Sequence, residues 1–296
     1  MDLRNVKTFL RVVEFGSISR AAEELNYAQS TVTSQIQLLE RELGFPLFDR
    51  IGKRISITAP GQEFLGYANE MLRIAQKVSA MGSDQEEMRG TLRIGVLESL
   101  MFSAMLNVLP DFKRRFKKVD VQLKMGQAAD LLVLLKQNQL DMAYISGDLN
   151  TDPDLYCCYK RKESLIFVTS PYHPAARRRD IPMHDLLEYD FLVTERSGIC
   201  YGRLKGLAAA NQSTIRHTTE VDSTVVIADL LKRGMGVAFL PEYSVAEELR
   251  KRSLVKVDVQ MEPQTYYSQI LYHRSKWLTP FMEYFIRLVR ENRPAN

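Results

Sequence analysis

At 296 residues the chain is long enough for two or three domains, and 45% hydrophobic with 26% charged residues is the balance of an ordinary soluble globular protein. A net charge of +4 admits a polyanionic partner without requiring one. The longest apolar runs, LLVLL at 131–135 and VVIADLL at 225–231, are too short to cross a bilayer, so no membrane partner is expected, and the odd count of three cysteines makes a reducing cytoplasm the expected location.

The first element is a helix: Val6, Phe9, Leu10 and Val13 recur at helical spacing and Gly16 ends it. Ser19 is the expected N-cap of a second helix that packs through Ala21, Ala22 and Leu25. After a polar break at 26–28, a third helix is expected over 29–43, burying Val32, Ile36, Leu39 and Leu43. Its other face opens with Gln29, Ser30, Thr31, Thr33, Ser34 and Gln37, short hydrogen-bonding side chains gathered at the helix N-terminus. Such a face suits a recognition helix, whose first turns meet base edges in the major groove and whose free N–H groups favour phosphate.

Beyond Gly44, Leu47 and Phe48 anchor a short hairpin in which Ile55 and Ile57 alternate with polar neighbours. Gly52 is the expected turn, which gathers Arg50, Lys53 and Arg54 at the tip of a basic wing for flanking phosphates. Residues 1–62 hold eight Lys/Arg against seven Asp/Glu, so placement and not bulk charge carries the nucleic-acid reading. These motifs, F-x-x-V-x-E-x-G-S-x-S-x-A-A-x-x-L from Phe9 and S-x-V-T-x-Q-I-x-x-L-E-x-x-L-G-x-x-L-F-x-R from Ser30, run on to Thr58 and Gly61. Over roughly the first sixty residues the chain resembles a LysR-type transcriptional regulator. The resemblance implies a winged helix-turn-helix that binds double-stranded promoter or operator DNA.

A linker follows at 59–89. Phe64, Tyr67, Met71, Ile74, Val78 and Met81 recur at coiled-coil spacing, a seam that can pack on its own domain or on a twin helix. The resemblance favours the twin, and so a homodimer or homotetramer reading an interrupted palindrome.

From residue 90 to 296, strand-like runs alternate with helical ones, as in an α/β sheet with parallel strands. The run near 165–174 reads as a crossover, and the last strand, 268–274, is expected to return to the first lobe. The layout resembles a two-lobed, periplasmic-binding-protein-like effector domain, lobe I at about 90–161 and 267–296 and lobe II at about 162–266. Ligands of such sheets bind beyond the carboxyl ends of the strands. The strand-to-helix turns there supply the candidate effector contacts: Ser99, Leu100, Gln127, Ser146, Glu195, Ser197, Gly198, Val221 and Asp222. Hydroxyls and helix starts favour a carboxylate or an amino acid, whereas Glu98, Glu195 and Asp222 bring negative charge and leave a cationic or zwitterionic effector as the alternative.

Three cysteines, two of them adjacent at Cys157 and Cys158, suit neither a disulfide framework nor a zinc site, and the four histidines have no metal spacing. No metal or cofactor is expected. The leading function is a DNA-binding transcriptional regulator, α/β overall, modulated by a small-molecule effector, with RNA polymerase as a further candidate partner. Two other classes stand beside it: an α/β enzyme with an N-terminal DNA-targeting module, and an architectural DNA-binding protein without a ligand. The sequence holds no nucleophile elbow, phosphate loop or dinucleotide fingerprint for the enzyme.

Overall fold

The computed structural model describes residues 1–51, 54–80 and 88–292. Helix α1 (Leu3–Phe15) starts where the Asp2 carboxylate accepts the Arg4 N–H, and it ends at Gly16 in the left-handed conformation (φ 58°). That sharp stop restarts the chain at once, so Ser17 and not Ser19 caps α2 (Ile18–Leu25). The Ser19 hydroxyl instead bonds Gln29 Oε1 across the turn (3.2 Å). Helix α3 (Gln29–Leu43) buries Val32, Ile36 and Leu39 against α1, with Leu43 half-buried.

Strands β1 (Phe48–Ile51) and β2 (Arg54–Ile57) pair antiparallel, Phe48 opposite Ile57. Glu40 of α3 fixes their base by accepting the N–H groups of Leu47 (2.7 Å) and Phe48 (3.2 Å). The Thr58 hydroxyl bonds the Pro46 carbonyl and accepts the Gly61 N–H. A Cβ on Gly61 would lie 2.4 Å from the Leu47 carbonyl oxygen, which explains why this turn takes glycine. Helix α4 (Ala59–Ala80) leaves from here, and Phe9 stacks between Phe48 (5.4 Å) and α4's Phe64 (5.2 Å) to close the small core.

The remainder is one nine-stranded sheet in the order β4-β3-β5-β11-β6-β9-β7-β8, with β10 (Val255–Lys256) also on β6. The first lobe carries β3 (Gly90–Val96), β4 (Val119–Met125) and β5 (Met142–Gly147), which pair in parallel through β3. The second carries β7 (Asp190–Val193), β8 (His217–Glu220) and β9 (Val237–Pro241). Two long antiparallel strands, β6 (Leu155–Thr169) and β11 (Gln264–His273), run through both. The crossover therefore lies earlier than 165: β6 itself makes it. Of its first ten residues only Leu155 and Glu163 are buried, and the exposed charge between them hides the strand. The last strand, β11, pairs with β5 as well as with β6.

Helices fill the gaps: α5 (Glu98–Leu100), continued by a π-helical turn into α6 (Leu106–Arg115), then α7 (Ala128–Lys136) and the short α8 (Met183–Leu186). The second lobe adds α9 (Ile199–Ala210), α10 (Thr224–Lys232) and α11 (Ala246–Arg250), and α12 (Pro280–Glu291) packs back on the first lobe against α6. Among the described residues no helix is long and apolar enough to cross a membrane.

The N-terminal domain is tied to the first lobe through one buried cation. Lys276 Nζ meets Glu14 of α1 (2.5 Å), Asp141 (2.8 Å) and the Asn138 amide oxygen (2.7 Å). Asp141 is also held by Arg93, and Glu14 by Arg11. Burial alone would raise both carboxyls, but Lys276 and the two arginines outweigh it and hold Glu14 and Asp141 below their ordinary values. Trp277 covers the joint, with Arg11 5.6 Å and Lys7 6.0 Å from its ring centre.

Candidate DNA-reading surface and interlobe cleft

The polar end of α3 is open to solvent. Gln29, Ser30, Thr31, Ser34 and Gln37 are exposed, and Thr33 is half-buried, its hydroxyl donating to the Gln29 carbonyl (3.0 Å). Ala28 is the N-cap and offers no side chain, so the first N–H groups of α3 have no side-chain partner. An uncapped helix start beside exposed amides and hydroxyls is a ready docking point for a phosphate and the neighbouring base edges. Underneath, the Thr8 hydroxyl holds Gln35 Oε1 (2.7 Å) and locks α1 to α3. The backbone of Arg50 and Arg54 lies in the β1–β2 hairpin beside this helix, whereas Lys53 and the two arginine side chains fall outside the described residues.

Helix α4 carries two apolar stripes. Phe64, Leu65, Ala68 and Leu72 are buried in the N-terminal core, which removes Phe64 from the expected pairing seam. A heptad reading cannot tell the two stripes apart, because both are apolar and they overlap by one helical turn. Tyr67, Ile74 and Val78 remain exposed, with Met71 half-buried between them. Among the described residues they form an exposed apolar seam at spacings of 7 and 4.

Between the lobes lies a cleft of about 720 Å³. It takes in Ser99, Gln127, Ser146, Glu195, Ser197, Gly198 and Asp222 from the expected set. Leu100 and Val221 are not in it. Leu100 is buried in the core of the first lobe, on the inward side of α5, and Val221 packs on the core of the second, its N–H still bonded to the Val193 carbonyl (2.9 Å) as an extension of the β7–β8 pairing. Three polar ties cross the cleft. Glu98 reaches from α5 to the start of α10, accepting the Ser223 hydroxyl (2.7 Å), the Thr224 N–H (2.7 Å) and the Thr224 hydroxyl (3.1 Å). Asp148 pairs with Arg203 of α9. The Tyr243 hydroxyl, from the second lobe, hydrogen-bonds Ser99 (3.1 Å) and Ser146 (3.0 Å) of the first.

Sequence reasoning passed over Asp148, Tyr243, Tyr266 and Gln269. The last two sit mid-strand on β11, where only its passage from lobe to lobe brings them to the cleft floor. Gln269 holds the rim by donating to the Asp148 carbonyl (2.7 Å) and accepting the Asn150 N–H (3.1 Å). Cys200 also lines the cleft, but burial and the nearby Glu195 push its thiol up to about 12, so it is not a ready thiolate. All three cysteines are free, and no metal-binding cluster occurs among the described residues.

Comparison with known proteins agrees with this geometry. A family model for the bacterial regulatory helix-turn-helix protein of the lysR family matches residues 3–62, and one for the LysR substrate binding domain matches 85–294. The uncharacterised HTH-type transcriptional regulator YwqM of Bacillus subtilis is 28% identical over 295 residues, spanning 98% of this chain and 99% of its own. Among solved structures, the CcmR regulatory domain of Synechocystis in complex with 2-PG superposes with a TM-score of 0.61 (20% identity, 70% of this chain, 100% of that one). Vibrio fischeri DarR in complex with DNA superposes with a TM-score of 0.55 (19% identity, 98% of each chain). One family match covers the reading head and the other the cleft, and the chain belongs to the LysR family of DNA-binding, effector-responsive transcriptional regulators.

Proposed function

We propose that the chain works in the cytoplasm as a homodimer, or a pair of dimers, that reads an interrupted palindrome at a promoter and passes effector occupancy on to RNA polymerase. Residues 1–58 form the reading head, 59–89 the pairing linker and 90–296 the sensor. Gln29, Ser30, Thr31, Thr33, Ser34 and Gln37 read the major groove, while Arg50, Lys53 and Arg54 of the wing hold flanking phosphates. Tyr67, Met71, Ile74 and Val78 pair with the same residues of a second copy. An effector in the cleft, touching Ser99, Gln127, Ser146, Glu195, Ser197, Gly198 and Asp222, shifts the population between lobe arrangements.

The observation that carries this reading is the uncapped, exposed, amide-rich start of α3. A near-neutral head binds weakly alone, so two copies on one duplex are needed for useful affinity. The test is electrophoretic retardation of fragments from the chain's own upstream region over a salt series. Affinity should fall roughly 10³-fold between 50 and 200 mM salt, the loss expected for about six phosphate contacts across a dimer. Ser34→Ala and Gln29→Ala should erode discrimination against random DNA, whereas Lys53→Ala should weaken all DNA alike. Retardation that ignores salt, or equal losses on specific and random DNA from all three variants, would sink the assignment. Ile74→Asp should yield monomers by light scattering, and a wild-type-sized particle would exclude the α4 seam.

A further inference from the structure

We propose that the cleft takes a net-cationic effector, one whose head is a protonated amine or a guanidinium, and that it rejects simple carboxylates. This rests on reading the cleft as the effector site and adds the ligand's chemical class.

Four carboxylates line the cleft, Glu98, Asp148, Glu195 and Asp222, and no lysine, arginine or histidine is among its lining residues. Two of the four are already committed. Glu98 spends both oxygens on Ser223 and Thr224, and Asp148 is paired with Arg203, whose charge it cancels at the rim. Glu195 and Asp222 have no ion pair among the described residues, and both face the same space. A ligand entering here therefore meets uncompensated negative charge.

The usual seat for an anion in such a cleft is a helix N-terminus. At α10 that seat is filled by the chain itself: the Glu98 carboxylate lies on the Thr224 N–H and two hydroxyls, where a ligand's carboxylate would otherwise dock. At this helix start the chain supplies the anion itself, whereas the starts of α7 and α9, which also line the cleft, carry no side-chain cap.

A separate observation points to a missing ligand group at the floor. Tyr266 is 1% exposed and lines the cleft, and its hydroxyl makes no hydrogen bond of good geometry although the Tyr243 and Ser146 hydroxyls lie beside it. Its neighbours are spent elsewhere, since Tyr243 and Ser146 bond each other. A buried hydroxyl left unpaired is costly, and a polar ligand group would satisfy it, while the carboxylates lining the cleft set the charge of that group. The walls between, with Met125, Leu132, Ile145 and Leu240, are apolar and suit an alkyl stem. The geometry thus asks for a short aliphatic chain with a cationic end.

The test keeps a short aliphatic chain and varies the charged groups at its ends. Thermal denaturation of the full chain is followed with 1,4-diaminobutane, agmatine, 4-aminobutyrate and succinate, each at roughly 10 mM and equal ionic strength, and dissociation constants are taken from the concentration dependence. The diamine or agmatine should stabilise the protein, and succinate should not. The doubly substituted Glu195→Gln, Asp222→Asn chain should bind the cation at least tenfold more weakly, which separates the cleft from general polyamine binding to acidic surface. A cation shift that survives both substitutions overturns the proposal. So does a succinate shift larger than the diamine's, though that result would leave the effector-cleft reading standing. No shift from any of the four overturns both.

Discussion

Where the N-terminal domain meets the first lobe, Lys276 lies between Glu14 and Asp141 with all three side chains under a tenth exposed. Where the lobes meet each other, Glu98 and Arg203 make the crossing and keep part of their surface in water. The first junction has spent its charges on one another in a low-dielectric setting, so it permits one geometry. The second holds carboxylates in reserve, so a ligand can change which ties it makes. Burial does not make the first junction strong in proportion. Arg11 Nε, Asn138 Nδ2 and Trp277 Nε1 are buried nearby without partners, and each such group costs about 1–3 kcal/mol. A buried ion cluster with unmet donors selects an arrangement more than it stabilises one.

That contrast is broken most directly at Lys276. Lys276→Met keeps the aliphatic bulk and leaves Glu14 and Asp141 buried with one cation fewer. Breaking a buried pair from one side costs about 3–5 kcal/mol, so thermal and urea unfolding should show the N-terminal domain released or melting first. Adding Glu14→Gln should recover part of the loss. Unchanged unfolding in the single variant would mean the joint carries no energy.

Acid should do reversibly what the substitution does. Glu14 and Asp141 are held below their ordinary values of 4.5 and 3.8, so the folded joint favours their ionised forms. Their contribution is complete above those values and is lost as pH falls below them through the lowered ones. Limited proteolysis of the α4 linker should therefore accelerate below about pH 4, and a flat profile from pH 6 to 3 would contradict the sign.

How far these junctions were legible in the sequence differs for physical reasons. The α3 face was legible because a 3.6-residue period sorts Val32, Ile36 and Leu39 from Gln29, Ser30 and Ser34 without help from the rest of the chain. Most cleft turns were legible because strand ends followed by Ser or Gly mark helix starts. Lys276 was not, since a lysine in a loop reads as solvated and only docking of α1 buries it. Tyr266 and Tyr243 were not, because their place depends on where β11 and β9 lie between the lobes. Phe64 was misread because α4 presents two apolar stripes and only the fold says which is inside.

At the interlobe cleft the effects should be smaller and ligand-dependent. Glu98→Ala removes three hydrogen bonds from a half-exposed carboxylate, a loss of about 1–2 kcal/mol to the closed arrangement. It also vacates the N-terminus of α10, so succinate binding should appear in this variant alone. Scattering should report a wider lobe separation. Closure as tight as wild type, with no gain of anion binding, would remove Glu98 from its role as the built-in anion.

Arg203→Met should have the smallest effect on stability and the most telling one on binding. Its partner Asp148 is 74% exposed and Arg203 24%, so solvent screens the pair and its loss should cost under about 1 kcal/mol. Removing a cation at Lys276 strands buried carboxylates; removing one here adds Asp148 to the free negative charge that already includes Glu195 and Asp222. Affinity for 1,4-diaminobutane should then rise a few-fold while the unfolding temperature barely moves, and the gain should shrink as salt is raised. If Arg203→Met instead unfolds the sensor or weakens the diamine, the cleft is organised like the interdomain joint, its charges serving the fold and not a ligand.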